Sequence, residues 1–129
     1  MKKKILIVCA NYYKDISKSL ISSALKLIVK KYNIKIINVP GVFEIPVTIS
    51  KNQKKFDAFI ALGCVIKGQT PHFDFISQAS TNAIMNLSIN CNKPIGNGII
   101  TCLNMKQAKA RKKKGTEAAN AVISVLSQS

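Results

Sequence analysis

The sequence predicts an α/β protein, a three-layer α/β/α sandwich built around a four-stranded parallel sheet. Three observations lead to this fold class. The chain has 129 residues, the length of one domain. Four short apolar runs alternate along it with longer stretches of helical periodicity. These runs are apolar almost throughout rather than at every second position, which is typical of parallel strands that helices cover on both faces.

The first half of the chain is predicted to contain three strands and two helices. Each strand is a run of β-branched and other apolar residues, and Pro40-Gly41 ends the second one. Apolar residues at every third or fourth position, with lysines between them, predict the first helix. The second helix is short, because Pro46 is tolerated only in a first turn. The predicted strands are residues 5–10, 34–39 and 58–65, and the predicted helices are residues 15–31 and 44 to about 55.

The second half is predicted to contain three helices and the fourth strand. Thr70 and Pro71 indicate a helix start, with an N-cap hydroxyl before a proline at the first helical position. Asn104 and Gln107 have the spacing of a capping box, and Gly115 is expected to end the helix that they begin. The predicted helices are residues 70 to about 90, 105–112 and a terminal one through residues 118–126, and the predicted strand is residues 99–103.

This alternation predicts a flavodoxin-like arrangement in one domain, residues 1–129. In such sheets, ligands bind beyond the carboxyl ends of the strands, where the chain direction across the sheet reverses. The loops that follow the strands are therefore the first places to look for chemistry.

Composition and charge exclude several other classes of protein. A chain that is 47% hydrophobic is not a disordered one, and its apolar runs are far shorter than the ~18 residues of a membrane span. The formal net charge is +15, but the lysines are dispersed and no nucleic-acid-binding motif accompanies them. We therefore expect no specific nucleic-acid partner and no membrane association, only nonspecific attraction of polyanions.

Cysteine and histidine usage predicts no metal site. The four cysteines are widely spaced, and the chain has one histidine. We expect reduced thiols packed in the core of a cytoplasmic protein.

The segment from Gly63 to Asp74 is a candidate anion site. It leaves the third strand and begins a helix, and the free N–H groups and dipole of a helix N-terminus favour a bound anion. Gly68 allows close backbone approach and Lys67 supplies charge, so a phosphate could lie near Gln69 and Thr70. His72 follows at once, and imidazole is the side chain best suited to move protons near neutral pH. The alternative, that this histidine merely caps or packs the helix, remains open.

Two further loops place aromatic side chains at strand ends. Phe43 and Glu44 follow the second strand, and Tyr12 and Tyr13 follow the first. Exposed aromatics beside backbone polar groups suit a flat heterocycle that stacks on a ring and is recognised along its edge. The alternative for Phe43 is a tight turn with the ring in the core.

Taken together, these segments resemble the lumazine synthase (6,7-dimethyl-8-ribityllumazine synthase) family over essentially the whole chain, in order. The matching segments are 39–46 (VPGVFEIP), 61–75 (ALGCVIKGQTPHFDF), 94–101 (PIGNGIIT) and 114–119 (KGTEAA). This chain departs from the usual family pattern at three places. It has Tyr12 where members usually have Phe or Trp, and Asn97 where many members have Phe. The connection from Arg111 to Gly115 is also shorter than usual.

The resemblance implies a condensation in riboflavin biosynthesis. The pyrimidine 5-amino-6-(D-ribitylamino)uracil would join 3,4-dihydroxy-2-butanone 4-phosphate to give 6,7-dimethyl-8-ribityllumazine, phosphate and water. The alternative is a riboflavin-synthase-type relative, or a lumazine- or flavin-binding protein, on the same fold.

The family pattern also implies roles for individual residues. His72 would move protons, Tyr12 would stack on the pyrimidine, and Arg111 would bind the butanone phosphate. Further contacts to the pyrimidine substrate would come from Val42, Phe43, Glu44, Cys64, Val65 and Ile66, with Asn97 supplied by a neighbouring subunit, and further contacts to the phosphate from Gln69 and Thr70. Family members need no metal or organic cofactor, act on small-molecule substrates, and form homopentamers, some of which assemble into 60-subunit shells.

Overall fold

Four parallel strands form one sheet at the centre of the computed structural model, which describes residues 2–128. The strands are β1 (Lys4–Ala10), β2 (Asn33–Val39), β3 (Ala58–Ile66) and β4 (Ile95–Cys102), and their order across the sheet is β2-β1-β3-β4. The helices are α1 (Lys14–Ile28), α2 (Ile45–Lys51), α3 (His72–Cys91), α4 (Met105–Ala110) and α5 (Lys114–Leu126), and a 3₁₀ turn over Val42–Glu44 precedes α2. The predicted α/β class with a four-stranded parallel sheet is confirmed.

Buried side chains fill both faces of the sheet. On one face, α1 and α5 cover a core that includes Ile7, Leu20 and Val122. On the other face, α2 and α3 cover a second core around Val8 and Ile84. β1 and most of β3 are buried on both faces, which is why they are apolar throughout. None of the helices in the described part of the chain combines the length and hydropathy that a bilayer span requires.

The fourth strand begins at Ile95, four residues before the predicted start at residue 99. Gly96 and Gly98 lie inside this strand and pair with β3. A Cβ atom at Gly96 would overlap the backbone carbonyl of Ala118 in α5. The glycines therefore allow a helix to lie directly on the strand, which their usual association with turns does not indicate.

The break between the last two helices lies at residues 111–113 rather than at Gly115. Gly115 is the second residue of α5, so the prediction that it ends a helix is wrong. A Cβ atom there would overlap the carbonyl oxygen of Leu20 in α1. As at Gly96, close packing between elements explains the glycine. The predicted capping box is confirmed in part, since the Asn104 side chain accepts a hydrogen bond from the Gln107 N–H at 2.9 Å.

The order of the strands places a cleft between β1 and β3. From β1 the chain passes to β2 on one side, whereas β3 lies on the other side of β1 and is followed by β4. The loops that follow β1 and β3 therefore diverge where these strands end and leave a cleft between them. In doubly wound sheets, ligands bind in this cleft.

Candidate active site

A cavity of about 660 Å³ opens at the carboxyl ends of β1, β2 and β3. It lies where the strand order predicts a ligand site. Eight of the residues predicted from the sequence line it, namely Tyr12, Val42, Phe43, Glu44, Cys64, Val65, Ile66 and His72. Three further residues, Tyr13, Gly41 and Ile76, line it as well. Periodicity could have indicated Ile76, one turn along the helix from His72, but no local pattern distinguishes Tyr13 from Tyr12.

Two aromatic rings of this cavity are largely exposed. Tyr12 is 74% exposed and Phe43 is 67% exposed, although both are large and apolar. The alternative that Phe43 packs in the core is therefore wrong. Because folded proteins usually bury such rings, two of them at the edge of one cavity indicate a surface for a planar ligand.

The loop that carries Phe43 is anchored by its neighbours. Val42 is buried, and a Cβ atom at Gly63 of β3 would come within 2.9 Å of the Val42 side chain. The Glu44 N–H donates to the Gly41 carbonyl at 3.1 Å, which closes the 3₁₀ turn. The turn thus packs tightly on β3, with Val42 pointing inward, Phe43 outward and Glu44 half-buried beside the cavity.

His72 is the first residue of α3 and borders the cavity with an exposed side chain. Its ring is therefore not packed into the core. Pro71 is the N-cap residue rather than the first helical residue, so the helix begins one position later than the predicted Thr70 cap implies. The Thr70 hydroxyl still accepts a hydrogen bond from the His72 N–H, at 3.4 Å. The side chain at position 72 is therefore accessible from the cavity.

Gln69 and Thr70 are exposed in the loop just before His72 and lie outside the cavity lining. The loop starts from a fixed point, because the Lys67 N–H donates to the Cys102 carbonyl at 2.8 Å. Around Gly68 the space is open, since a Cβ atom there would meet no atom within 4 Å. The backbone at Gly68 is therefore open to solvent.

Arg111 lies in a different cavity from His72. This second cavity, of about 600 Å³, runs along β4 and is also lined by Thr101, Lys113, Lys114 and Glu117. The Arg111 guanidinium donates to the Thr101 carbonyl at 3.2 Å. Of the described residues, none lines both cavities. The structure thus does not bring Arg111 into the His72 cavity within one chain.

Asn97 also lies away from the His72 cavity. It is exposed on β4, which is an edge strand, opposite Ala61 of β3. Its side-chain oxygen accepts the Ile99 N–H at 3.0 Å. Asn97 and Arg111 are therefore both exposed beside β4.

The Cys64 thiol in the wall of the cavity has a raised pKa. Burial, together with the neighbouring Cys102, raises the pKa of Cys64 to about 12. Burial also raises the pKa of Tyr13, with smaller contributions from Cys64 and Tyr12. All four cysteines are free; three of them are buried as predicted, whereas Cys91 is only half-buried. The raised pKa disfavours the thiolate, which is the nucleophilic form of cysteine, and Cys64 lines the cavity as part of its wall.

Within residues 2–128, no three His, Cys, Asp or Glu side chains lie close enough together to hold a metal ion. The polar side chains that line the cavity are a carboxylate, an imidazole, a thiol and two phenols. Such groups can orient a small polar substrate and move its protons.

Sequence comparison relates this chain to one enzyme family. The family model for 6,7-dimethyl-8-ribityllumazine synthase matches residues 2–129. A protein of that name from Bartonella bacilliformis is 42% identical over 116 positions, covering 86% of this chain and 76% of its own length. Another, from Buchnera aphidicola subsp. Baizongia pistaciae, is 40% identical over 134 positions, covering 97% of this chain and 84% of its own length. The family model runs through every strand and every loop of the cavity, and the chain therefore belongs to the 6,7-dimethyl-8-ribityllumazine synthase family.

Proposed function

We propose that the cavity beyond β1, β2 and β3 is the site at which this chain forms 6,7-dimethyl-8-ribityllumazine, with His72 as the group that moves protons. Family membership assigns the activity itself, 6,7-dimethyl-8-ribityllumazine synthesis in riboflavin biosynthesis. The observation that carries the site assignment is the meeting of two exposed aromatic rings, Glu44 and His72 in one cavity at the switch point of the sheet.

The pyrimidine substrate would lie against the aromatic side of the cavity. The Tyr12 ring would stack on its heterocycle, and the turn of Val42, Phe43 and Glu44 would hold its edge and the ribityl chain. The end of β3, with Cys64, Val65 and Ile66, would form the floor. The exposure of the two rings and the half-burial of Glu44 support this orientation.

His72 would act as general acid and base. Joining an amine to a ketone, closing the second ring and expelling phosphate and two waters each require protons to move between heteroatoms. An imidazole can give and take a proton near neutral pH, and its place on the rim of the cavity brings it to both substrates. The family resemblance implies that this chemistry needs no metal or organic cofactor.

The butanone phosphate would lie beside the start of α3, near Gln69 and Thr70. Open space around Gly68 and the N-terminus of a 20-residue helix support an anion there. We assign Arg111 to the same phosphate, but from a neighbouring subunit, because within one chain it lies in another cavity. Asn97 would reach the pyrimidine side in the same way.

This arrangement requires self-association, and we propose a homopentamer, with assembly to 60 subunits as the larger form. Three exposed apolar side chains of α3, Phe75, Met85 and Ile89, support a subunit interface, as does the unpaired edge of β4. Light scattering on the purified protein tests the proposal directly. A monomer that is fully active would refute both the assembly and the assignment of Arg111 to a neighbour's site.

The activity is tested by mixing the purified protein with both substrates and following lumazine absorbance and phosphate release. We expect product and phosphate in equal amounts, at a rate well above that without protein. Incubation with lumazine alone should give no riboflavin, whereas a riboflavin-synthase-type enzyme would form it. Absence of product from folded protein at micromolar concentration would refute the activity.

We place the reaction in the cytoplasm. The free state of all four cysteines supports a reducing compartment.

A further inference from the structure

Tyr13 lies in the active-site cavity without a role in the site described above. Its ring meets that of Tyr12 edge to face, with centroids 4.9 Å apart and an angle of 80° between the ring planes. The side chain is half-buried and packs against the core between the sheet and helices α1 and α5. Tyr13 therefore connects an exposed ring to the interior of the protein.

The backbone of Tyr13 is held in place more firmly than a loop position usually is. Tyr13 is the N-cap residue of α1, and its carbonyl accepts the Ser17 N–H at 2.9 Å. Ser17 is itself buried, and its hydroxyl donates to the Ala10 carbonyl at 2.7 Å. These hydrogen bonds connect the start of α1 to the end of β1, and they fix the backbone position from which the Tyr13 side chain extends.

Tyr12 has no comparable support of its own. Its ring is 74% exposed, and the contact with Tyr13 is edge to face. Such a contact covers at most one face of a ring, so at least one face of Tyr12 stays free for a planar ligand. An exposed ring loses conformational entropy when a ligand fixes it in one orientation. This loss is smaller when a neighbouring side chain already restricts the rotation of the ring.

We propose that Tyr13 is a positioning residue that holds the Tyr12 ring ready to stack, and thereby sets the affinity for the pyrimidine substrate. The inference rests on the proposed stacking role of Tyr12. Edge-to-face pairs of this geometry contribute enough to change an affinity by about threefold to tenfold. The phenol hydroxyl is not needed for this role, because the contact is made by the ring.

A double-mutant cycle tests the proposal with Tyr12→Leu, Tyr13→Leu and the double variant. Tyr13→Leu should raise the KM for the pyrimidine by about threefold to tenfold, with kcat and the KM for the butanone phosphate nearly unchanged. In the Tyr12→Leu background the same change should have almost no further effect, because Tyr13 acts through Tyr12. Tyr13→Phe keeps the ring and should rescue the pyrimidine KM to within about twofold of the original.

Tyr32→Leu is the matched control. Tyr32 is also half-buried against the same core, but it lies beyond α1 at the opposite edge of the sheet. It should lower the melting temperature about as much as Tyr13→Leu does without moving either KM, which separates positioning from general destabilisation.

Two kinds of result would overturn the inference in distinguishable ways. If Tyr12→Leu leaves the pyrimidine KM unchanged, the stacking assignment of Tyr12 fails, and the role of Tyr13 fails with it. If Tyr12→Leu raises that KM but Tyr13→Leu does not, or if the two effects simply add, the stacking assignment survives and Tyr13 does not position the ring.

Discussion

Replacing Gly115 by alanine separates two opposing effects at one position. Gly115 lies in the first turn of α5, and helix propensity alone would make alanine more stable by up to about 1 kcal/mol. However, the new methyl group would overlap the Leu20 carbonyl and come within 2.5 Å of Ser23 Oγ and 3.1 Å of the Ala24 nitrogen. Two of these three contacts are with backbone atoms of α1, which no side-chain rotation can relieve.

The helices must therefore separate, and overpacking of this kind costs about 2–3 kcal/mol. The net effect that we expect is a loss of about 1–2 kcal/mol in the free energy of unfolding. For a chain of this length that corresponds to a fall in Tm of roughly 4–8 °C.

Thermal and urea denaturation at one protein concentration measure this change. Gly68→Ala is the matched control, because its new Cβ atom would meet nothing within 4 Å, and we expect a change within about 0.5 kcal/mol. An unchanged or higher Tm for Gly115→Ala would refute the argument that contact between α1 and α5 explains this glycine.

Three further predictions concern the site and its thiols. His72→Gln should lower kcat by about 100-fold in the lumazine absorbance assay. Because the side chain is exposed, the Tm should stay nearly unchanged. A kcat within twofold of the original would exclude the proton-transfer role. Arg111→Lys should raise the KM for the butanone phosphate by about fivefold, because lysine lacks the two-pronged guanidinium. Lys112→Ala, at a residue outside the cavity lining, should leave that KM unchanged. A change in the pyrimidine KM alone would contradict the assignment of Arg111 to the phosphate. Burial raises the pKa of Cys9 to about 11 and that of Cys64 to about 12. Both thiols therefore stay protonated in the folded chain at pH values at which the same thiols are already deprotonated in the unfolded chain. These two groups should therefore leave the stability unchanged below about pH 9 and lower it as the pH rises from there towards 11. In Cys9→Ala the urea midpoint should fall less steeply over that range. Equal slopes for the two proteins would count against thiol ionisation as the cause.

Much of the candidate site could be predicted because its residues lie in short segments at strand ends. In a parallel sheet all carboxyl ends meet at one edge, so three loops that are distant in sequence converge on one cavity. That is why Tyr12, Phe43 and His72, each recognised from its own segment, line the same cavity.

The placement of Arg111 could not be predicted in the same way. It follows the fourth strand, and the same rule would have brought it to the shared edge. Instead α4 and the turn after it carry the side chain to the outer side of β4, where it bonds to Thr101. Local sequence indicates that a cation follows the strand, but the packing of the next two helices determines which cavity it enters.

The sequence by itself determined the element order, the parallel sheet and the motifs at the strand ends, because hydrophobic periodicity and turn chemistry act over a few neighbouring residues. Only the tertiary structure decided that Gly96 and Gly115 are contact points between elements and that Arg111 and His72 lie in separate cavities. Each of these depends on how closely two elements approach one another, a distance set by side chains that are far apart in the chain.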